Sequence, residues 1–162
     1  MNRFIPYILY LFLIGFHQVI FKDVTQLFET SINLPVLIVI LISIYKSEIT
    51  SVWFGFFASL VVAATVPNLT GWLCLIMSLL ALASHQMCQR LNLDSMLSRL
   101  LLIAAAIFIY NVILLIINYS DSFLYLLLMN SLLGAIYTTI VAWIFFMFKD
   151  GHVTYQKIKA IF

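Results

Sequence analysis

The histidines and cysteines, which are able to bind a metal ion, are few in this chain, namely His17, His85, His152, Cys74 and Cys88. His85 and Cys88 are three residues apart, so they lie on the same side of a helix. A zinc site needs three or four ligands, and a single His/Cys pair therefore favours packing over metal binding. Cys74 and Cys88 are separated by about 21 Å along one helix, which excludes a disulfide between them. The sequence predicts no metal site and no cofactor.

No Asp, Glu, Lys or Arg is expected inside the apolar spans of the sequence. The chain has 162 residues, of which 65% are hydrophobic and only 9% are charged, and its mean hydropathy is +1.15. Ion-driven transporters place ionisable groups at membrane depth, and hydrolases need a nucleophile held beside a base. The net charge of +2 gives no reason to expect a nucleic-acid partner. We therefore expect a protein that is not an enzyme.

The polar side chains that do interrupt the apolar stretches are neutral. They are Gln18, Ser43, Ser59, Thr65, Ser78, Asn111, Asn130, Ser131, Thr138 and Thr139. In helical membrane proteins such groups commonly form hydrogen bonds between helices, each worth about 1 kcal/mol or less. The alternative is that some of them line a cavity for a small ligand. Asn111 and Asn130 are the best candidates for that role because they lie well inside or close to the middle of their segments.

Six apolar segments must position these side chains. So much apolar surface exceeds what a water-soluble fold buries, so the sequence predicts an all-α polytopic membrane protein in which residues 1–162 form one domain. The runs are uniformly apolar, whereas the strands of a membrane barrel alternate over about ten residues. The second segment is short for a bilayer core of about 30 Å, and a partly re-entrant helix is the alternative there. The predicted spans are about 4–21, 34–45, 51–66, 72–88, 100–117 and 123–148.

Basic residues are distributed unevenly between the loops that join these spans. With six spans both termini lie on one side, and that side holds all but one of the lysines and arginines. Because basic loops remain in the cytoplasm, both termini are predicted to be cytoplasmic. The residues on that side are Arg3, Lys46, Arg90, Arg99, Lys149, Lys157 and Lys159, and Lys22 lies on the other side.

Small residues recur along one side of the third span. Gly55, Ser59 and Ala63 are each four residues apart, so they form a shallow groove where another helix can approach closely. Packing against a helix of the same chain is the more common use of such a groove. The other use is the docking of a helix from a partner protein.

The layout and several short motifs resemble the bacterial rod shape-determining protein MreD family. The resemblance covers nearly the whole chain. The shared features of the layout are the chain length, the six spans and the cytoplasmic termini. In this family the first span typically ends with Gln, Pro opens the second, the third reads like GFxxGxxxD, and Gly opens the fourth. The matching residues here are Gln18, Pro35, Gly55, Phe56 and Gly71. Ser59 replaces the second glycine of the third-span motif, and Ala63 stands where the acid would be.

The resemblance implies a membrane scaffold of the cell-elongation machinery in the bacterial cytoplasmic (inner) membrane. Such a protein binds the transmembrane helix of MreC, and the residues hypothesised to dock that helix are Gly55, Phe56, Ser59 and Ala63. RodA with its penicillin-binding transpeptidase, and indirectly MreB, are the further partners that the resemblance implies. The implied fold is similar to that of the six-helix substrate-binding subunits of energy-coupling factor transporters.

A second function is compatible with the same sequence, namely a small-molecule (vitamin) binding membrane subunit of an energy-coupling transporter. It predicts a polar cavity that opens outward beside residues 22–33, Asn68 and Asn118. The small-residue groove does not separate the two functions, because such subunits also dock a transport partner. Recovery of a single-span partner favours the scaffold, and recovery of an ATPase module favours the transporter subunit.

Overall fold

The computed structural model describes residues 4–24, 30–91, 95–118 and 123–149, and within these ranges the chain is helical and contains no β-strand. Arg3, His152, Lys157 and Lys159, named above, lie outside the described residues. The helices in these ranges are α1 (Ile5–Phe21), α2 (Leu34–Tyr45), α3 (Glu48–Ala63), α4 (Thr70–Arg90), α5 (Met96–Ile117) and α6 (Phe123–Lys149).

The all-helical class predicted from the sequence is confirmed. Three helical stretches are long and apolar enough to cross a membrane, namely Pro67–Arg90, Met96–Ile117 and Phe123–Lys149. Helices α1, α2 and α3 are apolar but shorter. The chain therefore has the helix lengths and apolarity of a membrane protein, and each helix falls on one of the predicted segments.

Helix α2 is the centre of the bundle and contacts each of the other five helices. Its side chains are buried on all sides in the run from Pro35 to Ile40. A helix that is apolar all round is one that its neighbours surround. Pro35 lies in the first turn, where its missing N–H leaves no intrahelical bond unmade. Helix α2 is therefore a short helix that the other helices enclose.

Pro67 sets the turn between α3 and α4. The amides of Thr65 and Val66 bond back to the carbonyls of Val62 and Ala63 at 3.1 and 3.0 Å, which tightens the end of α3. A one-turn 3₁₀ helix then runs over Pro67–Leu69 and leads into α4. The two helices pack along each other as the most extensive helix pair among the described residues.

One end of the bundle collects basic side chains and is called the basic end. Lys149 Nζ lies 3.0 Å from the centre of the Tyr45 ring, and the Arg99 guanidinium lies 5.9 Å from the centre of the Phe146 ring. These contacts bring together the end of α2, the start of α5 and the end of α6. The opposite end, formed by residues 30–33 and the turn between α3 and α4, is called the cavity end.

Candidate functional site

Among the described residues two helices contain a stretch of π-helix, and both stretches border the same space at the cavity end. The stretch in α1 is His17–Phe21, and the stretch in α6 is Leu127–Leu133. A π turn holds one more residue than an α turn, so it redirects side chains, and such turns are frequent at functional sites. Gln18 from the first stretch, and Asn130 and Ser131 from the second, line this space.

Two backbone carbonyls in the π-helix of α6 accept hydrogen bonds from side chains of other segments. The Thr30 hydroxyl donates to the Met129 carbonyl at 2.8 Å, and the Asn111 amide donates to the Asn130 carbonyl at 3.3 Å. The Asn33 side-chain amide in turn donates to Asn111 Oδ1 at 3.0 Å. These bonds join α5, α6 and the segment before α2, so the polar side chains at the cavity end are held in place.

Thr138 fixes the start of α2 against α6. Its hydroxyl accepts a hydrogen bond from the Asn33 backbone N–H at 3.0 Å and donates to the Gly134 carbonyl at 2.8 Å. A Cβ on Gly134 would lie 3.3 Å from Thr30 Cγ2 and 3.4 Å from the Asn111 amide nitrogen. The absence of a side chain at Gly134 therefore permits the close approach on which the hydrogen bonds depend.

The cavity end encloses a half-open cavity of about 670 Å³. This volume falls within the range of pockets that bind small organic molecules. Part of the wall is polar, and its side chains include Gln18, Asn33, Asn111, Asn118, Asn130 and Ser131. The remainder is mainly apolar and includes Val62, Leu69, Leu73, Leu114 and Leu126. Among the described residues of the wall, Lys22 alone is charged.

One buried polar group on this wall, the Ser131 hydroxyl, lacks a partner among the described residues. Ser131 is only 1% exposed, and its hydroxyl makes no hydrogen bond within the described residues. Tyr110 also lines the cavity and is 3% exposed. It lies seven residues before Ile117, the last residue of α5, so the wall extends roughly 10 Å along α5 from the end of that helix. A buried hydroxyl without a partner costs about 1–3 kcal/mol, so a water molecule or ligand group that bonds to Ser131 stabilises the fold.

The two described histidines, His17 and His85, lie at different ends of the bundle. His17 is buried at the start of the π-helix in α1, and neither of its ring nitrogens has a hydrogen-bond partner in the described part of the chain. His85 lies at the basic end, with Nδ1 3.0 Å from the Ser43 carbonyl oxygen and Nε2 3.0 Å from the Gln89 amide nitrogen. Over the described ranges, no three His, Cys, Asp or Glu residues are placed to hold a metal ion.

The small-residue side of α3 packs against α4 of the same chain. A Cβ on Gly55 would lie 2.9 Å from the Met77 carbonyl oxygen and 3.3 Å from the Cβ of Ala81. One turn further on, the Ser59 hydroxyl is fully buried and donates to Cys74 Sγ at 3.1 Å. Backbone contact this close is what small residues at a helix crossing allow.

The hypothesis that Gly55, Ser59 and Ala63 dock a partner helix is therefore corrected. Helix α4 fills the groove, Ala63 is only 4% exposed, and the alternative of packing within the chain describes these three residues. Phe56, the fourth residue of the hypothesis, lies on another side of α3 and is exposed. Its ring contacts those of Trp53 and Phe57, with centroids 6.1 and 5.8 Å away.

Five of the neutral polar residues differ in where they form hydrogen bonds. Ser43, Thr65 and Thr139 donate to carbonyls one turn earlier in their own chain segment, so the expectation that they bond between helices is wrong for these three. Asn111 and Thr138 do bond across helices or to the segment before α2. The structure brings together Asn111 and Asn130, the two residues that the sequence singles out for a cavity.

The structure adds Tyr110 to the site, which sequence reasoning missed, and from the predicted segment 22–33 it places Thr30 and Asn33 on the wall. Asn33 occupies the residue before the first turn of α2, a position where Asn is common, and this was an available signal. Of the residues that match the MreD motifs, Gln18 lines the cavity and Gly71 lies in the first turn of α4.

No protein-family model, curated protein or solved structure matches this chain. Its function is therefore inferred from the geometry of the described residues and from the motif resemblance.

Proposed function

We propose that the protein is a multi-pass scaffold subunit of the MreD type in the bacterial cytoplasmic membrane. It binds the transmembrane helix of MreC and catalyses no reaction. In this role it helps to couple the cytoskeletal protein MreB to peptidoglycan synthesis by RodA and its penicillin-binding transpeptidase.

Six membrane crossings with both termini in the cytoplasm are part of the proposal. Its supports are the three helices of spanning length and the charge at the basic end, where Lys46, Arg90, Arg99 and Lys149 lie at or near helix ends. Basic residues of short loops stay in the cytoplasm. Helices shorter than the bilayer core are accommodated by local thinning of the bilayer and by flanking side chains that reach the interface.

The observation that carries the proposed partner contact is the exposed aromatic cluster of α3, which consists of Trp53, Phe56 and Phe57. These side chains are 59%, 37% and 48% exposed, and α4 does not cover them. Large, rigid aromatic rings contribute much contact area when a helix packs against them. Phe56 also belongs to the motif that resembles the MreD family. We therefore place the MreC helix on this cluster, in place of the groove that α4 fills.

Co-purification with the MreC-like protein of the same organism tests the proposal. The full chain and the Phe56→Ala/Phe57→Ala double variant are each co-expressed with MreC and purified from membranes. Recovery of MreC with the double variant is expected to fall about tenfold, which corresponds to about 1.4 kcal/mol of lost contact. Leu101→Ala, on the exposed side of α5, is the matched control and should leave recovery unchanged. Equal recovery with all three chains would reject the contact.

The second candidate, a small-molecule (vitamin) binding subunit of an energy-coupling transporter, is favoured by the cavity. Of the predicted segment 22–33, Lys22 and residues 30–33 line the cavity, and residues 25–29 lie outside the described part of the chain. Asn118 also lines the cavity, whereas Asn68 is not on its wall. The same purification separates the two functions, since an ATPase module recovered in place of a single-span protein supports the transporter subunit.

A further inference from the structure

We propose that the cavity at the cavity end binds an uncharged organic molecule that carries hydroxyl or amide groups on one side and an apolar group on the other. The molecule enters from the aqueous phase at that end. This inference goes beyond a scaffold function, and it gives the second candidate function a ligand class. Its test measures ligand binding without any partner protein, so its failure is distinguishable from failure of the MreC contact.

The polar wall is suited to neutral hydrogen-bonding groups. Side-chain amides both donate and accept, and three of them face the cavity from different segments, namely Gln18, Asn111 and Asn130. Lys22 is exposed, and it is the one charged side chain among the described residues of the wall, so that part of the wall offers no buried counter-charge. An ionised ligand group deep in the cavity would be buried without a partner, which is strongly unfavourable. The wall therefore selects for an uncharged molecule.

Ser131 gives an independent indication of a ligand. Ser131 belongs to the residues that line the cavity, and its buried hydroxyl has no hydrogen-bond partner within the described ranges. Buried polar groups in proteins are nearly always paired, so an unpaired hydroxyl on a cavity wall points to a group that arrives from outside the chain. The adjacent Asn130 carbonyl is already bonded to Asn111, which holds the local backbone in register.

The apolar part of the wall complements an apolar group on the same molecule. Val62, Leu69 and Leu73 come from the end of α3, the connecting turn and the start of α4, and Leu114 comes from α5. Small-molecule pockets typically combine a largely apolar lining with a few fixed polar groups. Here the polar groups are held by the hydrogen bonds of Asn33 with Asn111, so the pocket is formed before the ligand arrives.

Thermal unfolding of the full chain in lipid nanodiscs, with neutral probes and a charged control, tests the proposal. The probes are uridine and n-butyl β-D-glucoside, which both join several hydrogen-bonding groups to an apolar part, and the control is citrate. A molecule that binds only the folded chain raises the unfolding temperature in a saturable way. At least one neutral probe is expected to do so, and citrate is not. No stabilisation by either neutral probe, or equal stabilisation by citrate, would overturn the proposal.

Variants of the wall locate the binding. Ser131→Ala removes the unpaired hydroxyl with little change in side-chain volume. It is expected to raise the half-saturating concentration of the probe about five- to tenfold. Thr139→Val alters a hydroxyl of the same helix that bonds only within α6, and it should bind the probe like the original chain. As a second readout, Asn130→Cys should react with a maleimide added in water, and the bound probe should slow the reaction. Equal probe affinity in Ser131→Ala, or no protection of the cysteine, would contradict the assignment.

Discussion

Gly55 and Gly71 show at the scale of single residues how differently two glycines of one helical hairpin are constrained. A Cβ on Gly55 would come within 2.9 Å of a backbone oxygen of α4, whereas a Cβ on Gly71 would meet nothing within 4 Å. A backbone atom cannot rotate away as a side chain can, so the two helices themselves would have to move apart. Gly55 is therefore required for the α3–α4 contact, and Gly71 is not required for packing.

Gly55→Ala is predicted to lower the free energy of unfolding by about 1–3 kcal/mol, because it overpacks the helix crossing at Met77. Gly71→Ala is the matched control, and it should be neutral or stabilise by up to about 1 kcal/mol, since alanine favours helix more than glycine does. Denaturation of both variants in the same detergent measures the difference. An unchanged stability of Gly55→Ala would show that the two helices are not in contact there.

Thr138 and Thr139 provide a second pair of neighbouring residues with different roles. Thr138→Val removes the acceptor of the Asn33 backbone N–H, and we expect it to lower the free energy of unfolding by about 1–3 kcal/mol. Thr139→Val removes only a bond to Ala135 in its own helix, so the expected loss is smaller. Thermal unfolding compares them, and equal losses would contradict the assigned link between α2 and α6.

At the scale of elements, the π-helix of α6 shapes the cavity end. It turns Asn130 and Ser131 toward the cavity and offers two carbonyls to Thr30 and Asn111. In an unbroken α-helix the same residues would point in other directions. The extra residue of the π turn changes the rotation about the helix axis between the residues before it and those after it. The irregular helix is thus tied to the site that it lines.

Deletion of Leu128 tests this role of the π-helix. Leu128 is 58% exposed, so its removal takes out the extra residue without removing a core side chain. We expect helical content by circular dichroism to persist, the bond from Asn111 to the Asn130 carbonyl to be lost, and stability to fall by about 1 kcal/mol or more. Leu128→Ala keeps the number of residues in the helix, and its free energy of unfolding should remain within about 0.5 kcal/mol of that of the original chain. Equal behaviour of the deletion and the substitution would argue against the π-helix as a structural requirement.

At the scale of the whole molecule, charge distinguishes the two ends of the bundle. Arg99 lies one turn inside α5 and contacts the ring of Phe146, and Lys149 ends α6 over the ring of Tyr45. The described helices therefore do contain charged residues, and Arg99 and Lys149 lie near helix ends at the basic end. Such a distribution is typical of a helical protein whose basic end faces the cytoplasm.

Cysteine labelling tests the orientation. In a background in which Cys74 and Cys88 are replaced by alanine, Val66→Cys at the cavity end should react with a membrane-impermeant maleimide added to intact spheroplasts. Lys46→Cys, at the basic end, should react only after the membrane is permeabilised. The reverse pattern would invert the proposed topology, and labelling of both sites without permeabilisation would argue against a membrane between them.

Much of the helical architecture was predictable, because long apolar runs locate helices without knowledge of their partners. Helix ends were less predictable. Helix α5 begins at Met96, several residues before the predicted start at 100, because Ser95 caps it by accepting a hydrogen bond from the Ser98 amide at 3.1 Å. The π-helices were not predictable, since the apolar run that ends at Met129 is like those of ordinary helices, and the polar Asn130 and Ser131 after it do not distinguish a π turn from an α turn.

The candidate site was predictable only in part. Asn111 and Asn130 stood out as polar residues in apolar runs, but their contact with Asn33 depends on a tertiary arrangement that sequence spacing does not encode. The Gly55 groove illustrates the converse problem. A groove of small residues is the same whether the helix that fills it belongs to the chain or to a partner, and here it belongs to the chain.

The most direct test of the central proposal, that the aromatic cluster of α3 holds the MreC helix in the bilayer, is site-specific photocrosslinking in living cells. A photoreactive phenylalanine analogue is placed at Phe56, and a second chain carries it at Leu101, which is also exposed. The account predicts a crosslinked product, identified by mass spectrometry as the MreC-like protein, from position 56 and not from position 101. Crosslinking to MreC from position 101 alone, or from neither position, would contradict it.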